Sequence, residues 1–356
     1  MKRNYGLDAL KIISMFMIVV LHVLGQGGIL YGLPQFTVRY NIVWFIEIMC
    51  LCSVNCFALI TGYLHVDKKY NYKSLISLWL QVIFYSILLT FFAKFFYPET
   101  INYTYITKMF LPTMAHSYWY FTAYVGLFFF IPLLNLVLEH GNKKIVGTSI
   151  FLITLFVSVG SMFNSNFMWE NSGYSTIWLM VMYLIGGYIK KYKLTTKSPL
   201  GNLCSFVWFC LIGYIIKMVV DLYFSKVLYI NQLSYSMLNY TSPFLVIASI
   251  NLFMFFKGYS PKYTITKKTI KFFAPISFGV YLVHTNPAIW ENFMKNRFVF
   301  CLDKLSFSFI LYLMASCVIL FLICAFIDYG RMKIFDKIKV NRLSEKIVLK
   351  IENILS

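Results

Sequence analysis

Apolar residues in this chain do not recur at helical or strand spacing. They run in unbroken blocks, separated by short polar segments. Ten such blocks stand out, at about 8–28, 41–64, 75–96, 118–138, 145–163, 174–189, 202–224, 240–256, 270–290 and 306–328. The longer ones match the roughly 17–25 residues a helix needs to cross a bilayer. In lipid each backbone N–H and C=O must be satisfied within the segment, so blocks of this kind are predicted to be helices. A membrane β-barrel would alternate apolar and polar residues, and no such alternation occurs. The predicted fold is therefore all-α, a polytopic transmembrane bundle of about ten spans. The opening, Lys2-Arg3 before an apolar run, has the look of a signal peptide. Asp8, Lys11 and His22 interrupt that run and no small-x-small cleavage site follows, so it reads as a retained first helix.

Composition agrees. Of 356 residues, 60% are hydrophobic and 13% charged, against about 45–50% and 25% in soluble domains. The formal net charge is +19, which elsewhere would raise nucleic-acid binding. Here the basic residues sit between the apolar blocks. With the N-terminus inside, inner segments and the tail carry 23 Lys and Arg and outer loops carry six. That bias puts both termini in the cytoplasm and removes nucleic acid as a partner. The segment 331–356, with Ile334, Ile338, Ile347, Ile351 and Ile354 among lysines, reads as a basic amphipathic tail on the inner membrane surface. Residues 1–330 read as one transmembrane domain. The longest outer loops are 97–117 and 225–239.

Eight Cys and five His are present. No C-x-x-C pair occurs and the His are scattered, so no metal site is expected. The cysteines read as small apolar residues. No G-x-x-x-x-G-K-S/T loop, G-x-S-x-G elbow or H-E-x-x-H occurs, which gives no support to ATP-driven work or zinc hydrolysis.

An ionisable residue inside a span is costly and directs attention to function. Lys11 and His22 are eleven residues apart, three turns plus about 20°, so they share a face about 16 Å apart along the helix. Asp8 is three residues before Lys11 and can pair with it. His22 suits proton transfer; a helix–helix hydrogen bond is the plainer role. Asp8 and Lys11 either serve the site or line an interface. Ser277, Tyr281 and His284 form a second stripe, which lines the same cavity or ends the ninth span. His116, Trp119 and Tyr120 open the fourth span, where Trp and Tyr commonly form an interface belt. Glu47 lies in the second span with Asn55 after it. Lys217 and Asp221, four apart, are predicted to pair with each other.

These residues carry a resemblance. Tyr5-Gly6-Leu7-Asp8-Ala9-Leu10-Lys11, with His22 eleven residues on, resembles the G-L/I-D-x-L/I-R start and following His of the acyltransferase-3 membrane family. Asn55-Cys56-Phe57-Ala58-Leu59-Ile60-Thr61-Gly62-Tyr63 resembles its F-x-x-I-S-G-Y/F segment. Trp119-Tyr120 with Pro132 and Ile276–His284 resemble its W-Y/F…P helix and its late S-x-x-x-Y-L-x-H segment. Lys11 departs from the family's Arg; it keeps the charge and loses the bidentate fork.

The resemblance implies a multi-pass enzyme of the bacterial cytoplasmic membrane. It would move an acyl group, usually acetyl, from cytoplasmic acyl-CoA to a sugar hydroxyl of a cell-envelope polysaccharide. Acyl-CoA is then a co-substrate, with no bound cofactor, and the bilayer and a saccharide acceptor are the partners. It implies that His22 is essential. On this reading His22 and Asp8 are the candidate catalytic residues and Lys11 holds the donor. Glu47, Asn55, His116, Trp119, Tyr120, Tyr281 and His284 are candidates for the acceptor cavity. His22 acts either as general base or as a nucleophile carrying the acyl group. The rival classes are a transporter or flippase of lipid-linked saccharide and a polysaccharide polymerase.

Overall fold

A computed structural model describes residues 3–164, 166–169, 171–196, 198–224 and 238–355. Lys2, Lys197, Lys226 and most of the outer loop 225–239 lie outside the described residues, as do the side chains of Ile351 and Ile354. Among the described residues, thirteen α-helices of six residues or more run in order: α1 (Tyr5–Leu24), α2 (Val38–His65), α3 (Tyr72–Phe96), α4 (Tyr103–Lys108), α5 (Trp119–His140), α6 (Lys143–Phe163), α7 (Thr176–Lys191), α8 (Pro199–Phe224), α9 (Pro243–Gly258), α10 (Thr264–Phe273), α11 (Ser277–His284), α12 (Ser306–Lys337) and α13 (Val340–Leu355). No strand occurs among the described residues.

Seven of these helices are long and apolar enough to cross a membrane: α1, α2, α3, α5, α6, α8 and α12. The other expected spans are shorter or broken. The sixth and eighth become α7 and α9, of 16 residues each. The ninth is not one helix. Pro275 has no N–H and disfavours helical geometry at the residue before it. There α10 gives way to a 3₁₀ turn, Ala274–Ile276, before α11 begins. Asn286-Pro287 then stops α11 and caps the next turn, Asn286 Oδ1 accepting from the amides of Ala288 and Ile289. Polar caps start other helices: Thr37 for α2, Asn71 for α3, Asn142 for α6 and Ser175 for α7. Each side-chain oxygen satisfies an amide that the helix itself leaves open. The tenth expected span, 306–328, continues as α12 to Lys337.

The chain divides into two compact units. The first takes the residues up to Leu21, Leu33–Lys68 and Gly126–Ala274. Here α2 and α7 pack backbone to backbone: a Cβ on Gly62 would strike the Tyr183 carbonyl, and one on Gly186 the Leu59 carbonyl. Small residues of this kind let membrane helices approach closely. Asn55, fully buried, accepts from Trp178 Nε1 at 2.9 Å and donates to the Tyr240 carbonyl at 2.8 Å. Lys217 and Asp221 form the expected ion pair. Tyr40 joins it, its hydroxyl accepting from Lys217 Nζ and donating to Asp221. Seven of the eight cysteines are buried and all are free. In α2, Cys52 and Cys56 point their thiols at carbonyls of α9.

The second unit takes His22–Gly32, Lys69–Val125 and the chain from Pro275. Its polar centre is Asp328, wholly buried on α12. Arg331 grips it with Nε and an Nη, at 2.9 and 2.8 Å. Gln81 and Tyr85 of α3 donate to the same carboxylate at 3.0 and 2.8 Å. Gly279 of α11 leaves room for it, since a Cβ there would overlap the Asp328 side chain. At the end of the unit, α13 docks on α3 through Ser77–Ser344 and the Lys73–Glu345 ion pair.

Candidate functional site

In the second unit, His22 and His284, 262 residues apart in sequence, meet ring to ring. His22 Nδ1 lies 2.8 Å from His284 Nε2. The far nitrogen of His284, Nδ1, lies 2.5 Å from the carbonyl oxygen of Val280, one turn back on α11. These partners fix the protons. A carbonyl only accepts, so His284 carries its proton on Nδ1 and, when neutral, offers a lone pair at Nε2. His22 must then donate from Nδ1. Its own Nε2 is left with a lone pair. A peptide carbonyl thus sets, through one imidazole, which nitrogen of the next is basic.

The surroundings hold this arrangement still. Trp290 stands edge-on to the His22 ring, 88° between planes at 4.8 Å. Gln26, one turn beyond His22, donates to the Trp290 carbonyl at 3.2 Å. The amides of Asn296 and Phe298 bond back to the carbonyls of Gln26 and Gly27. Gly28, at φ +89°, lies where a Cβ would meet Asn296, so the turn after α1 needs a glycine. His284 is 1% exposed and His22 is half-buried. Beneath α11, Tyr118 donates to the Leu282 carbonyl at 3.2 Å and accepts from Asn286 Nδ2 at 3.0 Å. The Tyr281 hydroxyl accepts from the Tyr120 amide at 3.3 Å. Trp119 rests edge-on against Tyr120. His116 is exposed, with its backbone at φ +50°, in the loop before α5.

The remaining candidates belong to the first unit. Asp8 pairs with Lys11 at 3.6 Å, as the spacing predicts, and with the Arg3 Nε at 2.6 Å. Glu47 has one carboxylate oxygen buried with no hydrogen-bond partner among the described residues. Asn55 spends its amide on Trp178 and Tyr240, which ties it to packing. Sequence reasoning missed Arg3 as a partner of Asp8, and missed Trp290, Gln26 and Tyr118 around the histidines.

The fold and site define a multi-pass helical membrane protein with a relay of two histidines set by a backbone carbonyl. Residues 4–329 match the sequence profile of the acyltransferase-3 family, an acyltransferase domain. The chain belongs to that family. No curated protein and no solved structure matches it.

Proposed function

We propose that this protein transfers an acyl group, acetyl in the simplest case, from cytoplasmic acyl-CoA to a sugar hydroxyl of a cell-envelope or exported polysaccharide. It works in the bacterial cytoplasmic membrane, with about ten crossings and both termini inside. The observation that carries the reading is the lone pair left on His22 Nε2 by its bond to His284. A hydroxyl is a poor nucleophile until a base takes its proton.

His22 Nε2 removes that proton as the sugar oxygen attacks the thioester carbonyl. The new C–O bond forms, the C–S bond breaks, and the leaving thiolate recovers the proton from His22 Nε2. In the covalent variant His22 Nε2 itself attacks the thioester, then passes the acyl group to the sugar. Both routes use the same lone pair. His284 is a positioning residue: it keeps the proton of His22 on Nδ1. Tyr281 and Tyr120 brace the same helix. Lys11 holds the anionic part of the donor as a point charge, and Asp8, itself held by Arg3, fixes Lys11 in place.

The test is transfer of labelled acetyl from acetyl-CoA to envelope glycan in membranes carrying wild type or His22→Gln. Label that vanishes in the variant supports the reading. Label in neither protein defeats the donor assignment, and label in both moves the chemistry away from His22.

A further inference from the structure

A cavity of about 350 Å³ opens within the second unit, at the low end of the size of small-molecule sites, roughly 300–1,000 Å³. Two helix faces line it. Ser86 and Thr90 are one turn apart on α3, 2% and 4% exposed. Neither hydroxyl has a hydrogen-bond partner among the described residues, yet both border this space. Both hydroxyls are therefore open to hydrogen bonding from whatever enters the cavity. Opposite them, Thr104 and Lys108 are one turn apart on α4, with Tyr105 beside them. Lys108 is exposed and makes no ion pair among the described residues. His116 stands with it on the wall. Pro287, three residues after His284, closes one side with Met109 and Ala115.

We infer that this cavity binds the saccharide acceptor, and that the sugar it takes carries a carboxylate or a phosphate. The inference rests on the acyl-transfer reading for the word acceptor; the binding stands on the cavity alone. The hydroxyls of Ser86, Thr90 and Thr104 suit a sugar's O–H groups. Met109, Ala115, Pro287 and the Tyr105 ring suit its C–H faces. A neutral sugar needs no cation, but Lys108 and His116 supply one fixed positive charge and one titratable group at the same wall. The counted bias of Lys and Arg puts the segment holding α4 on the outer side, where an exported or lipid-linked sugar is found.

The experiment is a binding isotherm on the full-length protein in nanodiscs, read by tryptophan fluorescence. The probes are glucose 1-phosphate, methyl glucuronide, methyl glucoside and inorganic phosphate. Wild type is expected to bind the two charged sugars at least tenfold more tightly than methyl glucoside. Lys108→Gln, an exposed change that leaves the fold alone, should erase that preference. Ser86→Ala with Thr90→Val, close in volume, should weaken all three sugars at least fivefold. Binding unchanged in both variants overturns the inference. So does inorganic phosphate binding as tightly as glucose 1-phosphate, which would make this an anion site only. Acetyl transfer is measured alongside. Binding as expected without His22-dependent transfer leaves the cavity standing and removes the acyl-transfer reading. Transfer without an effect of the cavity variants does the reverse.

Discussion

His284 touches His22 and not the reacting atoms, so its loss should act through proton placement. His284→Ala is expected to lower kcat about 10–100-fold, the usual cost of losing a residue that orients a functional imidazole. The KM for acyl-CoA should hold. His284→Gln, which can still accept through its amide oxygen, should recover part of the rate, and a purely structural role would show no such rescue. If His22 acts as proposed, His22→Gln should cost on the order of 10²–10⁴ in rate. At the other end of α1, Lys11→Met should raise the KM for acyl-CoA roughly tenfold or more, as expected for a lost charge-assisted hydrogen bond. Lys11→Arg should keep or lower it, because the fork offers a second donor. Steady-state kinetics with acyl-CoA and acceptor varied separately decide each case. The eleven-residue spacing to Lys11 drew attention to His22, and the stripe Ser277, Tyr281, His284 to a helix that either lines a cavity or ends a span; the structure buries His284 against His22. The bond between them was not legible. It depends on where α11 begins and ends, and that is set by Pro275 and Asn286.

Helices in this protein are joined by a few buried polar groups, and these are where single changes should hurt. Removing one partner of a buried ion pair leaves an uncompensated charge, at a cost of about 3–5 kcal/mol, whereas removing both is often close to neutral. Asp221→Asn and Lys217→Met should therefore each lower the melting temperature in detergent, and the double change should lower it less than either. Gly279→Ala forces a methyl group onto Asp328 and should be destabilising although it adds a single carbon. Outside the membrane, Lys73 holds the Glu345 carboxyl below its ordinary value. Its ion pair is complete at neutral pH and is lost as pH falls through that lowered value. Acid should thus loosen α13 from α3, read as faster amide exchange over Val340–Leu355, and Glu345→Gln should show the same exchange at neutral pH. The amphipathic pattern made α13 visible in the sequence. The Asp328 cluster was hidden because Asp328 read as the last residue of a span and Arg331 as the first of a tail. The helix runs through both, and their three-residue spacing becomes an ion pair.

At the scale of the whole chain, the blocks of apolar residues showed the fold class directly, because lipid permits few alternatives to helix. They did less well at length. A block of apolar residues reports burial away from water, and a short helix such as α7 or α9 reports it as strongly as a full span. Topology is therefore tested by chemistry and not by length. With Cys204, the exposed native thiol, replaced, a cysteine at Lys69 or Lys193 should resist an impermeant maleimide in intact cells. One at Phe110 or Asn296 should react. The reverse pattern would invert the orientation. The histidine relay ends on the Val280 carbonyl. The comparable position in a serine hydrolase holds a carboxylate. Here the last member is a neutral peptide group, so the resting relay carries no net charge. An ion kept permanently in this setting would cost solvation energy throughout the enzyme's life. A dipole costs little, and in the proposed mechanism full charges appear only in pairs, cation on the imidazole and anion on the substrate. They are created together and annihilated together within each turnover.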